Sequence, residues 1–479
     1  MTTMEYAAEY LLVYYTPSLL SGQTAVVQCR ITNRGEKPWE LEGDRPVNVA
    51  YRWTDERGHR VVPDGRRTRF RRAVEPGETV DCSVIVEPPL LPGTYTLQID
   101  LVAEQHAWFG DMGLPTLDLN VVIQPLDEDR LRVCIVNTNC LLNDAVGNCV
   151  VEQLKYFESQ NHVVHVLAEH IDEHLPLDVR RSVFCTSLAE VQEGSTVAAR
   201  SWIAQQFYQA DLYIFHYPVY YPLVESIRLV QSGTIIFDYH GLTPPHLWGD
   251  GSGMSFLVQG QKKATLARLA DYAIVHSQYM AEELQSYSGV DPERIRVMPY
   301  AVPVSQFRPM PRDPELVEHY GLEGRRVLLY IGRMAGNKRI DDLVRMLAVV
   351  RQTLPETTLM LVGDNKFSVY RQICDQALAI AEDLGCAEQV VFTGPVNHEE
   401  LYRYYNLCDV YVTSSLHEGF CVPVIEAMAC GRPVVATDAT ALPETVGDAG
   451  LLFPAEDVQA MAGQVTRILT SIALRAAAS

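Results

Sequence analysis

At 479 residues the chain is too long for one hydrophobic core, and its 47% hydrophobic and 21% charged residues describe a globular protein of two or three domains. With 60 acidic against 39 basic residues the formal charge is −21, which argues against nucleic acid as the main partner, because backbone binding draws on surplus positive charge. No run reaches the roughly 18 apolar residues of a membrane span. The start, MTTMEYAAEYLLVYY, carries acids where a signal peptide carries bases, so the expected compartment is the cytoplasm. The 11 cysteines are scattered and lack a C-x-x-C pair, which fits free thiols and gives no zinc site.

Residues 1–125 read as strands: TAVVQCRITNRG, PVNVAYRWTDERG, ETVDCSVIVEPP, GTYTLQIDLVAE and LDLNVVI, separated by turn formers. Ala25, Val27, Cys29 and Ile31 alternate with Gln28 and Arg30, the pattern of an antiparallel sandwich, and the region resembles an immunoglobulin-like module. Cys29, Trp53 and Cys82 invite a disulfide reading. Strand counting nevertheless puts Cys82 on the fifth strand, in the same sheet as Cys29, and Val80 stands where such modules carry a tyrosine, so no bridge is expected. The run RRTRFRR, Arg66 to Arg72, is expected to be a solvated edge strand rather than an anion patch.

After QPLDEDR the pattern changes to strands alternating with helices, the signature of parallel sheets covered on both faces. LRVCIV, HVVHVLA, DLYIFHYP, GTIIFDYHG, DYAIVHS and RIRVMPY are the strands of a first unit over 130–305. RRVLLYIGRM, TTLMLVGD, QVVFTGPV, DVYVTSS, RPVVATD and AGLLFP are those of a second over 306–479, and the proline-rich AVPVSQFRPMPRDPE reads as a linker. Two such α/β units imply a ligand site beyond the carboxyl ends of their strands, in the cleft where they face each other.

The stretch HEGFCVPVIEAMACG carries the chemistry. DVYVTSS is a strand, LHEGF a loop and VPVIEAMACG a helix, with Pro423 in its first turn and Gly431 closing it. The backbone N–H groups of Gly419, Phe420, Cys421 and Val422 then form an anion site at the helix N-terminus, between Glu418 and Glu426. Glu426 stands among Val422, Val424, Ile425, Ala427 and Met428, where a carboxylate without hydroxyl partners would cost several kcal/mol. In LLYIGRMAGNKRI, Gly332 and Arg333 end a strand and Lys338 follows, a pair of cations suited to a diphosphate.

These residues resemble family 4 of the retaining glycosyltransferases, through the E-x7-E signature in HEGFCVPVIEAMACGRPVVATDATALPETVGDAG, and the likeness covers roughly the last 340 residues. It implies a GT-B fold, two Rossmann-like domains facing a cleft. It assigns Arg333 and Lys338 to the donor diphosphate, Glu418 to the donor sugar and Glu426 to the nucleotide ribose. It makes His240, in FDYHGLTPP, a histidine contacting the donor sugar, and Gly147 a loop glycine close to ligand. The donor would be a nucleoside diphosphate sugar, the acceptor a glycan or lipid-linked hydroxyl, with retention at the anomeric carbon and neither metal nor other cofactor. Peripheral contact with a membrane inner face or another protein is compatible with it.

The chain departs from the family at Cys421, where many relatives carry glycine, and after AGLLFP, where about one helix remains in place of a longer return to the first domain. An epimerase or phosphorylase of the same fold and a non-catalytic carbohydrate-binding protein are the competing readings. A dinucleotide oxidoreductase is weaker, because LRVCIVNTNCLLNDAVGN lacks G-x-G-x-x-G.

Overall fold

The computed structural model describes residues 5–141, 145–194, 201–248, 254–365 and 368–471. It divides into two compact units, Met1–Ile214 with Leu229–Thr234, and Phe215–Arg228 with Ile235–Ser479. In chain order the first strands are β1 (Ala8–Tyr14), β2 (Ser18–Leu20), β3 (Ala25–Asn33), β4 (Val47–Asp55), β5 (Arg60–Val62), β6 (Thr79–Val86), β7 (Gly93–Ala103), β8 (Ala107–Trp108) and β9 (Leu117–Gln124). One sheet runs β1-β3-β6, and the other runs β2-β9-β7-β4-β5 with β8 on β7. Both contribute to one core containing Val27, Cys29, Trp39, Trp53, Leu97 and Val121, while Gln28 and Arg30 stay exposed.

Three details differ from the sequence expectation. The sandwich is not wholly antiparallel, since β2 runs parallel to β9. Its opening strand β1, formed by residues with no clear alternation, pairs with β3. The RRTRFRR run is a loop joined to β4 only by a bridge between Thr68 and Val49, because Phe70 is drawn inward to stack on Trp39 at 5.5 Å. Its Arg67 pairs with Asp64 and with Glu104. Cys29 and Cys82 are free thiols directly opposite each other on adjacent strands of one sheet.

The remaining strands are β10 (Arg132–Cys140), β11 (Val163–Ile171), β12 (Val183–Cys185), β13 (Leu212–Tyr217), β14 (Thr234–Tyr239), β15 (Tyr272–Val275) and β16 (Ile295–Val297), then β17 (Arg326–Ile331), β18 (Thr357–Val362), β19 (Val390–Gly394), β20 (Val410–Thr413), β21 (Val434–Thr437) and β22 (Leu451–Phe453). They form two parallel sheets, β12-β11-β10-β13-β14-β15-β16 and β19-β18-β17-β20-β21-β22. In each the first strand lies inside the sheet and the chain winds outward one way, then the other, the doubly wound order. Burial on both faces explains the unbroken apolar runs, such as Val327–Ile331 and Leu359–Val362. The short β12 carries no separate signal in the sequence.

The proline-rich 301–315 stretch is not a free connector. Phe307 is fully buried in the core beneath β17, β20 and β21, and Asn406 fastens the segment through Met310 N–H and Arg308 carbonyl.

Candidate active site

In the second sheet chain order reverses between β17 and β20, the position at which open α/β sheets leave a crevice at their carboxyl ends. The loops after these two strands are stitched together. Ser414 Oγ donates to the Lys338 and Arg339 carbonyls at 3.0 and 2.9 Å, Asn337 Nδ2 donates to the His417 carbonyl at 3.0 Å, and Leu416 N–H donates to the Asn337 carbonyl. This network sets Lys338 Nζ 2.5 Å from Glu418 Oε1, with the side chains only 11% and 13% exposed. Burial pushes the Glu418 carboxyl up, but the adjacent Lys338 ammonium outweighs it and the net shift is downward, so the group is held ionised.

Arg333 follows Gly332 at the end of β17 and is exposed, its side chain in no hydrogen bond or ion pair among the described residues. The helix Val422–Ala429 starts as the sequence implies, with Cys421 as its N-cap and Pro423 in its first turn. None of the backbone N–H groups of Gly419, Phe420, Cys421 and Val422 donates a hydrogen bond among the described residues. They form an open set of donors at the positive end of that helix.

Backbone strain gathers here. Arg339, Cys421 and Thr440 hold left-handed φ values of 52°, 75° and 51°, costing side-chain-bearing residues about 1–2 kcal/mol each. Cys421 stands where a glycine would carry no such cost. Thr440 Oγ1 accepts the Glu418 N–H at 2.9 Å, so its strained position orients the loop. Gly419 is required by close approach: a Cβ there would lie 2.9 Å from Met280 Sδ and 3.2 Å from the His240 carbonyl.

Glu426 is buried, and its Oε2 accepts from Tyr405 OH at 2.6 Å while Oε1 lies 3.4 Å from His398 Nε2. The hydroxyl partner that its apolar neighbours demand is thus supplied within the chain.

His240 has both ring nitrogens engaged, Nε2 with His216 Nδ1 at 2.8 Å and Nδ1 with Tyr300 OH. Burial drives its pKa well below the usual histidine value, outweighing Asp238. Gly147 lies in the helix Ala145–Ser159 rather than in a loop, and a Cβ there would stand 2.4 Å from the Leu141 carbonyl oxygen. Its glycine is explained by that packing.

Two family models match the chain: Glycosyltransferase Family 4 over residues 146–306 and Glycosyl transferases group 1 over 325–471. The chain belongs to family 4 of the glycosyltransferases. A D-inositol 3-phosphate glycosyltransferase of Mycobacterium sp. (strain KMS) is 33% identical over 204 residues, 42% of this chain and 45% of that protein. Its counterpart in Mycobacteroides abscessus is 30% identical over 271 residues, 53% and 60% of the two chains. The chain spans about half the length of the curated relatives it matches. A sucrose-phosphate synthase from Thermosynechococcus elongatus superposes with a TM-score of 0.60 at 20% identity, covering 72% of this chain and 91% of that one. Anabaena Alr3699/HepE in complex with UDP and glucose gives 0.60 at 19% identity over 73% and 92%. These two likenesses establish the shared fold.

Sequence reading of this family 4 member missed several residues that shape the site. Glu283 accepts from Tyr239 OH at 2.6 Å and lies 2.9 Å from His417 Nε2, and Ser277 Oγ donates to the Gly419 carbonyl at 2.6 Å. Tyr300 packs edge-on to Phe420 at 5.6 Å. The one available signal was that His216, His240 and His276 each lie at or just beyond the end of an apolar strand, and β13, β14 and β15 are neighbours in the sheet.

Proposed function

We propose that the chain is a retaining glycosyltransferase that moves a sugar from a nucleoside diphosphate sugar to a hydroxyl of a glycan or lipid-linked acceptor. The observation that carries this reading is the buried Lys338–Glu418 pair at the point of strand reversal, beside exposed Arg333 and the open N–H groups of residues 419–422. The names of the curated relatives, a D-inositol 3-phosphate glycosyltransferase and a serotype-specific mannosyltransferase of Escherichia coli, support the same reaction class.

Breaking the bond from the anomeric carbon to the diphosphate builds positive charge on the sugar and negative charge on the leaving group. Arg333, Lys338 and the N-terminus of the helix Val422–Ala429 oppose the latter as it develops, so the cations of the chain rather than a metal ion meet the diphosphate. Glu418, kept ionised by Lys338, accepts hydroxyl groups of the sugar, and the Glu426 carboxylate receives the ribose. The acceptor attacks from the face that the diphosphate leaves, and its proton departs to a leaving phosphate oxygen. His240 lies beside the sugar, with Tyr300 OH holding its Nδ1 until the donor arrives.

A thermal-shift screen of nucleoside diphosphate sugars should raise the melting temperature for the true donor. Incubation with that donor and hydroxyl acceptors should then give a product with the donor's anomeric configuration by NMR. Conversion of the free donor without an acceptor would instead support the epimerase reading, and an inverted product would refute retention.

A further inference from the structure

Asp238 on β14 is almost wholly buried and is ringed by three imidazoles from neighbouring strand ends. His276 Nε2 stands 3.0 Å from its Oδ1, His240 Nε2 3.7 Å from the same oxygen, and His216 Nδ1 3.5 Å from Oδ2. All three rings are buried too, with side chains no more than 5% exposed.

The tautomer of His276 makes the arrangement informative. Its Nδ1 lies 2.9 Å from the Met298 carbonyl oxygen, an acceptor, so the ring proton belongs on Nδ1. The lone pair on Nε2 then faces a carboxylate oxygen at 3.0 Å, and that buried nitrogen has no hydrogen-bond partner. Two acceptors at this distance need either a second ring proton or a metal cation between them. A histidine that donates its distal N–H to a backbone carbonyl while offering its other nitrogen beside a carboxylate is the usual setting of a metal-bound imidazole. The donor atoms of Asp238, His240 and His276 all lie within 4.8 Å of one another.

We propose that Asp238, His240 and His276 hold a divalent transition-metal ion of the zinc class. Two imidazoles and one carboxylate match the ligand preference of zinc and cobalt, which take solvent in a fourth position, whereas magnesium and calcium call for oxygen donors. The sequence shows only Asp238 and His240 as a close pair, because His276 comes from a different strand 36 residues on. The ion would fix the His240 ring through Nε2 and is separate from the diphosphate, which the second sheet's cations serve. The inference does not depend on glycosyl transfer.

The test is metal content and spectrum of the full chain grown with cobalt or zinc and desalted. We expect about one equivalent per chain and the intense visible bands of four-coordinate cobalt. His276→Ala and Asp238→Asn should lower occupancy at least tenfold, while His174→Ala, at an exposed histidine, should leave it unchanged. Because either site variant could lose the fold, the wild-type cobalt spectrum decides independently: bands of an aqua ion only, or none, overturn the proposal. Equal metal retention in all variants overturns it too, as does a metal-free wild-type chain whose His276 shows the nitrogen shifts of an imidazolium.

Discussion

The sandwich and the second sheet each bury a cation against a carboxylate, and they use it differently. Arg52 clamps Asp111 through two parallel bonds of 2.8 and 2.7 Å, gives a third from Nε to the Pro63 carbonyl, and lies 3.8 Å over the Trp108 ring. Asp111 also receives Arg60. That fork spends three of its five N–H donors inside the sandwich and fastens it. Lys338 spends one of three ammonium donors on Glu418 and stands beside an exposed arginine and open backbone donors, so it can accept a further anion without releasing its partner. The lesson is that burial and short distance alone do not separate a structural pair from a binding pair; the exposed cation and open backbone N–H groups around Lys338 do.

The strongest way to break this comparison is Lys338→Ala. Donor kcat/KM should fall about 10³-fold, as for removal of a main charge-stabilising group. Unpaired Glu418 should also lower stability without ligand by about 3–5 kcal/mol. A double change with Glu418→Gln should restore much of the melting temperature and none of the turnover; undiminished turnover in either variant would sink the diphosphate role. Arg52→Ala should do the reverse, lowering unfolding free energy by about 3 kcal/mol in denaturant titrations while the donor KM stays put. A changed KM would remove the distinction between the two pairs.

The pH dependence sharpens it further. Asp100 of the sandwich is fully buried, and burial pushes its carboxyl up to about 6, against the backbone N–H groups of Gly110 and Leu101 that pull it down. A raised carboxyl contributes stability that is present below about pH 4 and is lost as pH rises through about 6, on the order of 2–3 kcal/mol. Glu418 has the opposite sign: its depressed pKa gives stability present above the ordinary carboxylate range and lost on acidification. Asp100→Asn should therefore flatten the loss of stability between pH 4 and 6 seen by urea unfolding, and an unaltered profile would assign that slope elsewhere. The smallest expected effect is at Cys421, where Gly removes left-handed strain but adds unfolded-state freedom, for a net gain of about 0.5–1 kcal/mol. A drop in melting temperature would show that the buried thiol packs for more than the strain costs.

Legibility followed sequence distance. Each strand of the second sheet is visible as an apolar run, and the helix from Val422 with Pro423 and Gly431 is readable because its caps lie within it. Glu426 could be marked as needing a hydroxyl, but Tyr405, 21 residues away, could not be named as its source. The RRTRFRR run misleads because its arginines dominate the pattern while one aromatic, Phe70, decides where the backbone goes. The Asp238 cluster escaped for the same reason in another form: three histidines far apart in the chain become one group only when parallel strands align their ends.

The amino-acid order by itself determined the alternation of β and α, the two doubly wound sheets and the helix start that presents its amides, because periodicity, caps and turn chemistry act over a few residues. Tertiary structure alone decided that Lys338 neutralises Glu418, that Tyr405 satisfies Glu426 and that Asp238 gathers three imidazoles. Those are choices of partner among buried charges, and they are fixed by which strand ends the sheet order brings within a few ångströms.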